Sequence, residues 1–142
     1  MNTHLSIALH ALTLLANATD GLTSDAIAEQ LQTNPVFLRR VLSNLKKQGI
    51  VVMRRGAQGG IVLNRAANEL SLDEVFRTLQ NNRPLLPMHN LSEPSNISRS
   101  IDALFEACES DMIRYLSGFT LKDLQESANE PANVWQHGKV AL

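Results

Sequence analysis

Two clusters of side chains in this chain carry recognisable chemistry. Val36, Arg39, Arg40, Ser43 and Lys47 recur at intervals that a helix over residues 35–48 would gather on one side. Cations, a hydroxyl and one small apolar group together suit phosphates, guanine edges and a thymine methyl in a major groove. Leu38, Val41, Leu42 and Leu45 fall on the opposite side, where they would be buried. The second cluster is Arg54 and Arg55, followed by Gly56, Ala57, Gln58, Gly59 and Gly60. A tip this small can enter a groove, and its glycines supply positive φ angles. Arginine suits a narrow minor groove, where the negative potential is enhanced. An ordinary solvated helix has a face like that of 35–48. The arginine-flanked hairpin beside it favours nucleic acid. The candidate DNA contacts are Asn34, Pro35, Val36, Arg39, Arg40, Ser43, Lys47, Arg54, Arg55 and Gln58.

Other chemistry is thin. The glycine-rich run is not a phosphate-cradling loop: no Gly-Lys-Ser/Thr follows, and it joins two β-rich runs. The histidines His4, His10, His89 and His137 show no metal-ligand spacing, and His10 reads as structural. No nucleophile–base pair or cofactor motif is present, so the chain is not expected to be an enzyme. Cys108 is the sole cysteine, which fits a reducing compartment. It lies on an apolar stripe, so a buried core thiol is expected. The sharper alternative is a redox switch, in which two copies form an intersubunit disulfide. A small-molecule pocket between Leu85, Leu86, Met88 and the following helix is a further candidate, with no ligand named.

These clusters need positioning elements. Residues 3–18 read as a helix apolar on two sides, which must be covered on two sides. A second helix over 24–31 is capped by Thr23 or Ser24, and Asn34 with Pro35 restarts the chain into 35–48. Gly49 stops that helix. Runs at 50–54 and 61–64 form a hairpin. Ser71, Leu72, Asp73 and Glu74 form a capping box for a helix to about residue 80. Residues 81–96 hold three prolines and read as a loop. A helix over 96–118 carries Ile97, Ile101, Leu104, Phe105, Cys108, Met112, Tyr115, Leu116 and Phe119 as one stripe. It would extend about 33 Å, and dimerisation is its natural use. Thr120 opens a short last helix, and the tail from Asn129, with Trp135, is uninformative.

The fold class is therefore mainly α with a small β-hairpin wing: a winged helix-turn-helix plus a long dimerisation helix. Residues 1–80 form the DNA-binding domain, 81–96 a loop, 97–128 the dimerisation helix and short C-terminal helix, and 129–142 a tail. Charge follows the same division. Residues 1–65 hold seven Lys/Arg against three acids, a net of +4, while residues 66–142 hold six against eleven, a net of −5. The apolar run over 5–18 lacks preceding basic residues and is short for a span, so the protein is expected in the cytoplasm, off the membrane.

The run NPVFLRRVLSNLKKQG over 34–49, then RGAQGG over 55–60 and LSLDEV over 70–75, resembles the Rrf-type-two family of bacterial winged-helix regulators. The match spans residues 3–118. The resemblance implies a homodimer on a near-palindromic operator, most often a repressor, with the long helix as interface. It implies that Arg55 enters the minor groove and that the first turns of the 35–48 helix read the major groove. Cluster-binding members carry three cysteines in and beside the loop before the long helix. Here that loop has none, so no iron–sulfur cluster is expected. The expected function is sequence-specific regulation of transcription, open to a redox or small-molecule signal. The alternative is a winged-helix module that binds protein. Operator, target genes and signal are not written in the sequence.

Overall fold

Five of the described helices begin where the sequence provides a side-chain cap. In the computed structural model, which describes residues 3–81, 83–130 and 135, α1 spans Thr3–Asn17, α2 Ser24–Leu31 and α3 Pro35–Lys47. Strands β1 (Val51–Arg54) and β2 (Gly60–Leu63) follow, then α4 (Leu72–Gln80), α5 (Asn96–Ser117) and α6 (Leu121–Ser127). Thr23 caps α2, its hydroxyl accepting from the Ala26 N–H at 3.1 Å. Asn34 caps α3 by accepting from the N–H groups of Val36 and Phe37 at 2.8 and 3.3 Å. Pro35 takes the first helical position, where a missing N–H costs nothing. Gly49 follows α3 at φ +71°, a conformation glycine adopts freely. The Glu74 carboxylate accepts from the Ser71 N–H at 3.1 Å and closes the start of α4.

The sheet is one antiparallel hairpin, with Val51 opposite Leu63 and Arg54 opposite Gly60. A bridge between Leu22 and Ile61 adds the α1–α2 turn to its edge. The core is aliphatic: Leu12, Ile27, Leu38, Leu45, Leu70 and Leu121 are fully buried. A short 3₁₀ turn, Ala67–Glu69, carries no signal in the sequence.

The expectation that α1 is covered on two sides is met within the chain itself. Ala8, Ala11, Leu12 and Leu15 are buried, and α6 packs on α1, with Gln125 donating to Asn17 at 2.8 Å. The short last helix, grouped by sequence with α5, thus packs on the winged-helix core. A second bridge, Ser71 to Thr120, holds it there: Leu72 N–H donates to Phe119 at 3.0 Å and Leu121 N–H to Leu70 at 2.8 Å. In the expected tail, Trp135 stands edge-on to Phe119 at 4.9 Å, and residues 131–134 and 136–142 lie outside the described residues.

The long stripe on α5 behaves differently. Ile97 and Leu104 are 68% and 58% exposed, and Ile101 and Phe105 are half-buried. Cys108 is exposed, which overturns the expectation of a buried core thiol. The reason is geometric: α5 packs toward α4, and the described residues bury Phe119 at the C-terminal end of the stripe while leaving Ile97, Leu104 and Cys108 uncovered.

Candidate nucleic-acid interface

The amphipathic pattern of α3 divides as its spacing demands. Leu38, Val41, Leu42 and Leu45 are buried, while Val36, at 59% exposure, stands out with Arg39, Arg40, Ser43 and Lys47. Arg40, Lys46, Lys47, Arg54 and Arg55 form no ion pair among the described residues. Arg39 differs, because its Nη1 lies 3.3 Å from Asp25 Oδ1 on α2. Part of the Arg39 charge is therefore met by α2, at a well-exposed pair. His4 of α1 packs its ring on Phe37 with centroids 4.7 Å apart, steadying the first turn of α3 from behind.

The wing is held by backbone. Gly21 N–H donates to the Gln58 carbonyl at 3.2 Å, and Leu22 and Ile61 exchange two hydrogen bonds. A Cβ on Gly59 would sit 2.4 Å from the Arg54 carbonyl oxygen, and one on Gly21 would sit 2.7 Å from Gly59. Only glycine allows these approaches. Gln58 thus anchors the wing tip through its carbonyl, while its side chain is exposed.

Between α3 and the wing runs a cavity of about 280 Å³, lined by Arg39, Ser43, Lys46 and Met53 among others. Lys46 and Met53 were not singled out in the sequence. Lys46 was legible, since 39, 43 and 46 share a face at three-four spacing. Met53 is 57% exposed on β1 and is visible only once the hairpin is docked. Strand alternation places Arg54 with Val52 on the face opposite Met53. There it lines a separate cavity of about 260 Å³ with Leu15, Ala18 and Thr19 of α1 and its end. Asn34 and Pro35 act in shaping the start of α3, and both are exposed.

The basic count of the N-terminal half includes one cation with a purely local role. Arg65 donates to Glu74 at 3.1 Å and to the Glu69 carbonyl at 2.8 Å, clamping the 3₁₀ turn to α4. That hydrogen bond holds the Glu74 carboxyl below its usual value; partial desolvation opposes the shift, and the Ser71 donors reinforce it.

Segment 81–96 is pinned to α5 by two carboxylates. Glu109 accepts from the Leu85 N–H at 3.0 Å, and Asp102 accepts from the His89 N–H at 3.1 Å. His89 Nδ1 also lies 2.8 Å from Asp102, and these contacts hold the Asp102 carboxyl below its usual value. Beneath the segment lies a cavity of about 490 Å³ against α4 and α5, with Met88 in its wall. Leu85 and Leu86 are outside that lining. For an iron–sulfur cluster the donor set does not fit: the chain has one thiol, on the exposed face of α5, and His89 is engaged with Asp102.

Comparison with known proteins agrees with this geometry. The Rrf2 family model, described as an iron-dependent transcriptional regulator, matches residues 1–127. YwnA of Bacillus subtilis, assigned as an HTH-type transcriptional regulator, is 33% identical over 129 residues, covering 87% of this chain and 96% of YwnA. A crystal structure of an assigned transcriptional regulator from Lactobacillus plantarum superposes with a TM-score of 0.77 at 26% identity, covering 96% of this chain and 97% of that one. The IscR structure from T. potens shares the fold, with a TM-score of 0.71 at 22% identity over 96% of this chain and 95% of IscR.

Proposed function

The chain belongs to the Rrf2 family of DNA-binding transcriptional regulators, and from that premise we propose a specific mode of action. Two copies pair through the α5 stripe and seat their α3 helices in successive major grooves of a near-palindromic operator. Arg55 enters the adjacent minor groove, Arg54 and Lys47 contact phosphate, and occupancy represses transcription in the cytoplasm. What carries this is the set of exposed cations on α3 and the wing, Arg40, Lys46, Lys47 and Arg55, which form no ion pair among the described residues, on two elements that pack on each other through β1, with the wing tip held to the α1–α2 turn by the Gly21–Gln58 contact. Pairing through α5 is supported by Ile97 and Leu104, too exposed and too apolar to be left in water along so long a helix. The reading carries no iron–sulfur cluster, because the family's cysteine set is missing from residues 81–96.

The signal is read either at Cys108 or in the cavity under residues 81–96. Pairing through the stripe would bring together two Cys108 thiols that the single chain leaves uncovered, and these would lose two protons and two electrons to peroxide to give a disulfide. The test is binding of the purified protein to its own upstream DNA against random DNA at physiological salt, with and without reductant. Preference for its own region supports specific regulation. Absence of preference there and in a selection from random oligonucleotides would favour a protein-binding module.

A further inference from the structure

We propose that the cavity between α4, residues 81–96 and α5 binds a free amino acid with an apolar or thioether side chain. This deepens the small-molecule part of the reading above by naming a ligand class. The cavity has about 490 Å³, within the usual range of small-molecule sites of roughly 300–1,000 Å³. Its walls carry opposite charges on opposite elements. Arg77 on α4 and Arg83 on the 81–96 segment supply guanidinium groups, and Glu106 and Glu109 on α5 supply carboxylates.

Most of that charge is unspent. The Arg83 and Glu106 side chains make no ion pair or hydrogen bond among the described residues. Glu109 uses one oxygen on the Leu85 N–H, and its other oxygen has no partner among the described residues. Arg77 reaches Asp73 with one nitrogen at 3.5 Å, and the rest of its donor fork is open. Glu106 and Glu109 stand one turn apart on a single face of α5, and Ile113 continues that face.

Net charge decides the class of ligand. A simple anion would meet the arginines and be repelled by the two glutamates, and a simple cation would suffer the converse. A neutral apolar molecule would desolvate four charged groups without replacing their hydrogen bonds. An α-amino acid matches both walls, its carboxylate toward Arg77 and Arg83 and its ammonium toward Glu106 and Glu109. Its side chain then lies against Phe76, Met88 and Ile113, an apolar floor whose thioether adapts to shape.

The test is calorimetric titration of the full chain, without DNA, by L-leucine and L-methionine, and by N-acetyl-L-leucine and L-leucinamide. Saturable binding of a free amino acid is expected, with each capped analogue weaker by about tenfold or more, as loss of one charged hydrogen bond implies. Glu106→Gln should lessen the penalty for N-acetylation and Arg83→Gln the penalty for amidation, since Glu109 and Arg77 remain, while both keep the wild-type melting temperature. Either no saturable binding up to about 10 mM, weaker than ordinary specific sites, or equal binding of free and capped forms overturns the proposal. Because DNA is absent, a negative titration leaves the operator reading standing, and failure on operator DNA leaves the titration standing.

Discussion

Arg39 of α3 is tied to Asp25 of α2, Nη1 to Oδ1, at 3.3 Å. Both side chains are well exposed, so the pair contributes little to stability, within about 0.5 kcal/mol. Its larger effect is on charge presented to DNA. Asp25→Asn should leave the melting temperature unchanged and tighten binding to random DNA severalfold at low salt. The slope of log affinity against log salt should steepen by up to about one. Titration across a salt series checks this, and an unchanged slope would show that Arg39 already faces phosphate in the bound state.

Arg55 and Lys47 should differ in kind. Arg55→Ala is expected to cost about 1–3 kcal/mol on operator DNA and less on random DNA, because a groove contact carries sequence information. Lys47→Ala should weaken both DNAs alike and reduce the salt slope by about one. Equal losses on both DNAs for both variants would contradict the assignment.

Gly59→Ala should distort the wing. Its Cβ would meet the Arg54 carbonyl oxygen at 2.4 Å, which side-chain motion cannot relieve. A cost of about 1–3 kcal/mol in urea unfolding is expected, with operator affinity falling further than stability does. Gly56, where nothing lies within 4 Å of a new Cβ, is the control for strain alone at positive φ.

Glu74 gives a pH dependence of defined sign. Its carboxyl is held below the usual value, chiefly by Arg65, so the folded state releases that proton more readily than the unfolded chain. The resulting stability is fully present above the ordinary carboxylate value and is lost as pH falls through the lowered one. Solvent screening keeps it below about 1 kcal/mol. Arg65→Met should flatten this part of the acid limb in urea unfolding measured between about pH 3 and pH 6. Parallel acid limbs in the two proteins would refute it.

Pairing through α5 predicts that Leu104→Glu yields a monomer by sedimentation equilibrium. An unchanged dimer would place the interface elsewhere. Cys108→Ser should leave assembly intact and abolish any response of DNA binding to peroxide; a persisting response would remove Cys108 from the signal.

Local signals made most elements readable in the sequence. Asn34, Pro35 and Gly49 bracket α3, and Ser71 with Glu74 opens α4, because caps act within one turn. The exposed face of α3 was legible for the same reason. What sequence could not show depends on contacts far along the chain. Thr120 was readable as a cap, but the bridge that seats it beside Ser71 was not. Arg39 looked free until Asp25 appeared beside it, fourteen positions away. Cys108 was misjudged because an apolar stripe signals that something must cover it, not which chain does so. Met53 shares a face of β1 with buried Val51, so its exposure beside α3 follows only from how the hairpin docks.

The wing tip is fastened through the Gly21 and Gln58 main chains, with the side chains of Ala57 and Gln58 exposed. Shape at this point is therefore separated from chemical identity. Positions 57 and 58 can change during divergence or in a directed library while the strands keep their register. New operator preferences at the wing are thus reachable by single substitutions that leave the fold untouched, whereas the neighbouring glycines are fixed points of the design.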